Sequence, residues 1–307
     1  MQLRASLSDR PPYRKFLIIV GLTLIGAVLF TAIGMLFSNL FFGINMTGDA
    51  SLLDQTGNTV LANAFRMFQG VAAIGTFILP ALAAAYFFST DSSAYLGMQL
   101  KPKSQHVIVV FLLLIIAIPF INWMMQVNGT LQLPASMKAL QDWMTSSEIQ
   151  ATKITTLLMG TASFADMLFN LLVIAIIPAI GEELLFRGVI QKQFIELTNS
   201  KGFAIILTAV LFSALHMQFF GFLPRFALGV LLGYLYVWSG SLWLSIAAHF
   251  INNAMAVILT WCVTRGFISI NLDTIGTEIG QEMMLASSVF LTWAILFWLK
   301  KQFSLQK

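Results

Sequence analysis

The run MLFNLLVIAIIPAIGEELLFR, Met167 to Arg187, is uncharged as far as Gly181 and then sets Glu182, Glu183 and Arg187 close together. An apolar run of that length reads as the greater part of a membrane-spanning helix. Ionisable groups carried into such a helix cost several kcal/mol unless they face a cavity or a partner, so they are functional candidates by default. The rest of the chain is therefore to be searched for what those two carboxylates face.

Working outward, the whole chain is apolar: 58% hydrophobic residues, 10% charged residues and a mean hydropathy of +0.84. The fold class this implies is an all-α polytopic membrane helix bundle forming a single integral membrane domain over residues 1–307. About eight transmembrane helices are expected, near 16–42, 60–88, 106–126, 166–190, 202–219, 222–238, 241–263 and 283–299. Pro80 and Pro119 are expected to kink theirs. The first run is too long for a signal-peptide core and reads as a retained span. Between 127 and 164, Met137, Leu140, Trp143 and Met144 recur at helical spacing beside Lys138, Asp142 and Glu148, which predicts an amphipathic helix at the interface. The lone Cys262 permits neither a disulfide framework nor a thiolate metal site within one chain.

Charge follows the spans. Basic residues crowd the N-terminal segment, the 90–105 connection, the 187–201 connection and the C-terminus, whereas the alternate connections offer only Lys138, Lys153 and Arg265 and carry Asp49 and Asp54. The positive-inside rule then places both termini in the cytoplasm. The net charge of +4 is thus an orientation signal, and the expected partners are the lipid bilayer and a membrane-associated peptide or protein, with no nucleic acid. The chain's compactness and its lack of organelle signals favour a bacterial inner membrane.

On a helix, Glu183 and Arg187 share a face with the acid N-terminal to the base, the favourable order for an ion pair. Glu182 points about 100° away around the axis. Pro178 removes a backbone donor just before the acids. In later spans His216 lies four residues after Phe212, and Asn253 four after His249. A carboxylate with a neutral imidazole can deprotonate water, and an imidazole with an amide can donate to an oxyanion, which together make a peptidase. Two imidazoles and a carboxylate, Glu182, His216 and His249, could instead hold zinc. Neither a His-Glu-x-x-His pair nor a Gly-x-Ser-x-Gly elbow is present. An ion-coupled transporter relaying protons through the same groups is a competing reading. Depth sets a condition: the polar groups converge only if the fourth helix runs on inward to about Gln193, giving a site recessed from the cytoplasmic face.

Glu182-Glu183-x-x-x-Arg187, Phe212-x-x-x-His216 and His249-x-x-x-Asn253, each on its own span, resemble the motifs of the CPBP family of intramembrane proteases, also called the Abi or type II CAAX prenyl endopeptidase family. The resemblance covers about 170–255, within a motif-bearing core of about 164–263, and Phe250 stands where the family often has a small residue. It implies cleavage near the C-terminus of a membrane-associated, lipidated or CAAX-like substrate, at a site opening to the cytoplasm and the lipid. It also implies Glu182 as water-activating base assisted by His216, His249 and Asn253 as oxyanion donors, and Glu183, Arg187 and Phe212 in support. A metal-free reaction is favoured over zinc because the amide of Asn253 is a better donor than ligand. A catalytically silent bacteriocin-immunity or scaffold protein is the remaining alternative.

Overall fold

The computed structural model of the chain describes residues 3–47, 50–55, 57–160, 163–269 and 271–305, so Asp49 lies outside the described residues. Regular structure among them is helical throughout. The long helices are α1 (Pro12–Phe42), α2 (Thr59–Phe88), α7 (Phe164–Thr198), α9 (Phe222–Ser239), α10 (Leu242–Thr264) and α11 (Glu282–Ser304). Between them lie α3 (Ser92–Leu96), the pair α4 (Ser104–Ile116) and α5 (Ile118–Thr130), α6 (Lys138–Met159) and α8 (Lys201–Leu215). Among the described residues, six helices are long and apolar enough to cross a membrane, or seven if the α4–α5 pair, bent by 48°, counts as one. The chain is an integral membrane protein.

The expected fifth span, 202–219, is the exception. α8 stops at Leu215 rather than near 219, and its 15 residues reach only about 22 Å, short of a hydrocarbon core of roughly 30 Å. In the opposite sense, α7 runs on to Thr198, well past the expected end at 190. It does so because Gln191 and Gln193 are buried and paired, with Gln191 donating to the Gly233 carbonyl and Gln193 to the Tyr95 hydroxyl. Burial pushes the Tyr95 phenol well above its usual range, so it stays neutral.

Prolines shape the spans through the hydrogen bond they cannot make. Pro119 sits at the α4–α5 bend. Pro80 and Pro178 each follow a widened π turn, Ile74–Ile78 and Leu171–Ile176, where Leu79 donates to Ile74 and Ile177 to Leu172, five residues back. The extra residue makes room for the ring, and the helix continues instead of breaking.

The bundle has two chemically different ends. At one, the N-terminal segment bonds to the end of α2 (Ala5 and Leu7 to the carbonyls of Tyr86 and Phe87), Leu242 bonds to Gly97, and His106 packs on Phe303 at 4.5 Å. This end gathers the basic connections. At the other lie the start of α2, the junction of α7 with α10 (Phe164 against Trp261, 6.1 Å) and the whole of α6. The expected amphipathic helix is α6: Leu140, Trp143 and Ile149 stay exposed, while Trp143 meets Phe219 at 5.3 Å and the Glu148 carboxylate accepts from the Phe220 amide.

A buried polar knot ties this second end together. Arg66 is fully buried; it donates to Asp166 (2.7 Å), Asn170 (2.7 Å), Asn63 (2.6 Å) and the Leu158 carbonyl (2.7 Å), joining α2, α6 and α7. Charges this far from water hold only when paired and bonded. Arg66→Leu should therefore lower unfolding stability by about 3–5 kcal/mol, because the buried Asp166 loses its guanidinium. Adding Asp166→Leu should restore part of the loss, read as thermal unfolding in detergent.

Candidate active site

The site begins at Pro178. Lacking an N–H, it leaves the Ile174 carbonyl four residues back without its helical donor. Asn253 supplies one: its Nδ2 donates to Ile174 O at 3.0 Å, while its Oδ1 accepts from Asn252. The sequence-predicted amide is thus held against α7 by a carbonyl that a proline frees. An amide nitrogen has two hydrogens, so one remains for other work.

One turn further along α7, Glu183 is fully buried and ringed by donors. Oε1 accepts from Arg187 Nη1 at 2.6 Å and His249 Nδ1 at 3.0 Å, and Oε2 accepts from Ser245 Oγ at 2.5 Å. Arg187 also donates to the Gly229 carbonyl at 2.9 Å, and its guanidinium lies 4.8 Å from the centre of the Phe212 ring. That reach needs α8 and α9 close together: a Cβ on Gly229 would sit 3.0 Å from the Ala209 Cβ. The expected i, i+4 brace is present, and it extends to α9 and α10.

Because an ionised carboxylate only accepts, His249 carries a proton on Nδ1, and Nε2 is left facing the cavity. His216 is fixed the same way, its Nδ1 donating to the Phe212 carbonyl at 2.7 Å. His216 terminates α8, and the next residue, Met217, takes the left-handed conformation (φ 56°) that ends a helix. Phe212 packs against both imidazoles, at 4.9 Å and 5.9 Å between ring centres.

Both Nε2 atoms aim at one oxygen. Glu182 Oε2 lies 3.9 Å from His216 Nε2 and 3.9 Å from His249 Nε2, buried and, among the described residues, without a hydrogen-bond partner. A gap of 3.9 Å is too long for a direct bond and suits one water making bonds of about 2.8 Å to each side. The same atoms have the donor character zinc prefers, but ligand atoms in a tetrahedral site with bonds of about 2.1 Å lie roughly 3.4 Å apart. Among the described residues no three His, Cys, Asp or Glu side chains stand in metal-binding geometry.

These groups line a cavity of about 600 Å³ together with Asn253. It reaches up to Thr155 and Met159 of α6 and includes Gln69, Gln218 and Arg225. The structure thus brings Glu182, His216, His249 and Asn253 to one cavity, with Phe212 in its lining and Glu183 and Arg187 behind them. Depth is resolved by α7: Glu182 is about 27 Å from Phe164 and about 24 Å from Thr198 along the axis, near mid-helix. The cavity extends toward the α6 end, not toward the end that carries the basic connections, because large side chains fill the latter half.

Ser245, Arg225 and Gln218 were not singled out from sequence. Serine one turn before His249 gives no apolar anomaly, and Arg225 read as the edge of a span. Its guanidinium instead bonds back to Gln218, to the carbonyl and to Oε1, inside the cavity.

Comparison with known proteins agrees with the location of these motifs. Residues 164–255 match the family model for type II CAAX prenyl endopeptidase Rce1-like proteins. Over 90 residues the chain is 30% identical to the uncharacterized protein YpbD of Bacillus subtilis (strain 168). That stretch is 28% of this chain and spans only 43% of YpbD. No solved structure matches the chain.

The two carboxylates should separate in a stability experiment. Arg187→Leu strands the buried Glu183 and should cost about 3–5 kcal/mol, and Ser245→Ala about 1–3 kcal/mol. Glu182→Gln, which removes no hydrogen bond, should leave thermal unfolding unchanged or raised.

Proposed function

With residues 164–255 matching the Rce1-like family, we propose that the protein is an intramembrane endopeptidase that hydrolyses a peptide bond of a membrane-associated peptide or protein. The observation that carries this is the convergence of an unpartnered carboxylate and two oriented imidazoles on one small volume inside a membrane-spanning bundle. Glu182 Oε2 has no hydrogen-bond partner among the described residues, whereas Glu183 accepts from Arg187, His249 and Ser245.

In this reading a water sits between Glu182 and His216. Glu182 accepts one of its protons, and the His216 Nε2 lone pair orients it by accepting the other hydrogen. The water oxygen attacks the peptide carbonyl, and the oxyanion receives the free hydrogen of Asn253 Nδ2. His249, turned to the cavity by its Nδ1–H bond to Glu183, donates from Nε2 to the same oxyanion when the ring carries both protons. As the C–N bond breaks, Glu182 passes its proton to the departing amine, completing hydrolysis with no covalent enzyme intermediate. No metal takes part in this scheme. The basic connections gathered at one end support an orientation with both termini in the cytoplasm, and a bacterial inner membrane is the proposed location.

Purified protein in liposomes, given a library of apolar peptides and read by mass spectrometry, should generate new termini. Glu182→Gln should lower that cleavage by about 10²–10⁴-fold and Asn253→Ala by about 10²-fold, while chelators leave it intact. Flux of an ion across the same liposomes without cleavage would favour the transporter reading instead.

A further inference from the structure

We propose that the catalytic cavity is entered from the extracytoplasmic side, so that its substrates are peptide segments presented at the outer leaflet rather than tails anchored in the cytoplasmic one. This rests on the endopeptidase reading for its chemistry and on separate observations for its direction.

The first is charge. Arg10, Arg14, Lys101, Lys103, Lys201 and Lys300 all lie at the end where the N-terminal segment, the α3 connection and the end of α11 meet. At the α6 end the connections carry Asp54, Asp142, Glu148, Asp273 and Glu278 against Lys138, Lys153 and Arg265. Basic connections stay on the cytoplasmic side of a bilayer, so the α6 end faces outward.

The second is packing. Below Glu182, toward the basic end, a continuous buried cluster closes the bundle; Leu185, Phe186, Ala204, Leu242 and Phe88 belong to it, at 4% exposure or less. Such close-packed interiors leave no path for a peptide. On the other side the cavity runs from Glu182 and His249 past His216 and Gln218 to Thr155 and Met159. Gln69, Thr155 and Gln218 add polar groups to the lining on that side.

The third is α6 itself. It lies at this end with Leu140, Trp143 and Ile149 turned outward at 40%, 44% and 53% exposure. An amphipathic helix with that pattern rests in the headgroup region. Its C-terminal turn is pinned by the Arg66 and Asn170 bonds to Leu158 O, which holds Thr155 and Met159 over the cavity.

The test is sided labelling in a Cys262→Ser background, with single cysteines introduced as Thr155→Cys, Gln218→Cys and, at the basic end, Lys301→Cys. A membrane-impermeant maleimide should label the first two in spheroplasts and the third only in inverted vesicles, with at least tenfold preference in each case. Labelling of positions 155 and 218 from the same side as 301, or from neither side, overturns the proposal. Because labelling needs no turnover, the Glu182→Gln protein should give the same pattern. Absence of cleavage by the wild-type protein, with this sidedness intact, would count against the peptidase chemistry alone.

Discussion

One buried carboxylate organises this molecule. Glu183 is surrounded by Arg187, Ser245 and His249, and those three donors come from α7 and α10. Arg187 carries the link on to the Gly229 carbonyl of α9 and to the Phe212 ring of α8. An ionised carboxylate in hydrocarbon is tolerated only with its hydrogen bonds filled, so the demand of one side chain fixes the relative placement of four helices. Its most consequential effect is on His249. By taking the Nδ1 proton as its partner, Glu183 turns Nε2 toward Glu182 and sets which nitrogen faces the cavity.

A second constraint acts through the backbone. Pro178 and the π turn before it free the Ile174 carbonyl, and Asn253 answers it. The amide is thereby oriented without a side-chain partner on α7. Helix α8 contributes by stopping early: Met217 in the left-handed region ends it at His216, and the imidazole lines the cavity beside Glu182. Each catalytic candidate is thus held by something that does not take part in the chemistry, leaving Glu182 as the one member of the set with an unsatisfied oxygen.

Much of this was readable from spacing. Glu183 and Arg187 at four residues, and Phe212 with His216 at four, are relations within one helix, and helical geometry alone specifies them. Relations between helices were not readable. Arg66 and Asp166 are 100 residues apart, and nothing in either neighbourhood names the other. The extent of α7 was hidden because Gln191, Lys192 and Gln193 look like the end of an apolar run; Gly233 and Tyr95 bury the two amides from other elements. The expected span at 202–219 proved to be a shorter helix because the left-handed Met217 leaves no local signal of the kind a glycine gives. The direction of the cavity was out of reach for the same reason: it depends on which half of the bundle large side chains fill, not on the order of residues along any one helix.

The central claim is that Glu182 does chemistry while Glu183 does structure. Its most direct measurement compares membrane peptides, by mass spectrometry, from cells carrying the wild-type protein and cells carrying Glu182→Gln at equal abundance. The account predicts a defined set of shortened peptides in the wild type, with their intact precursors accumulating in the variant. Identical peptide profiles, with both proteins folded and inserted, would contradict it.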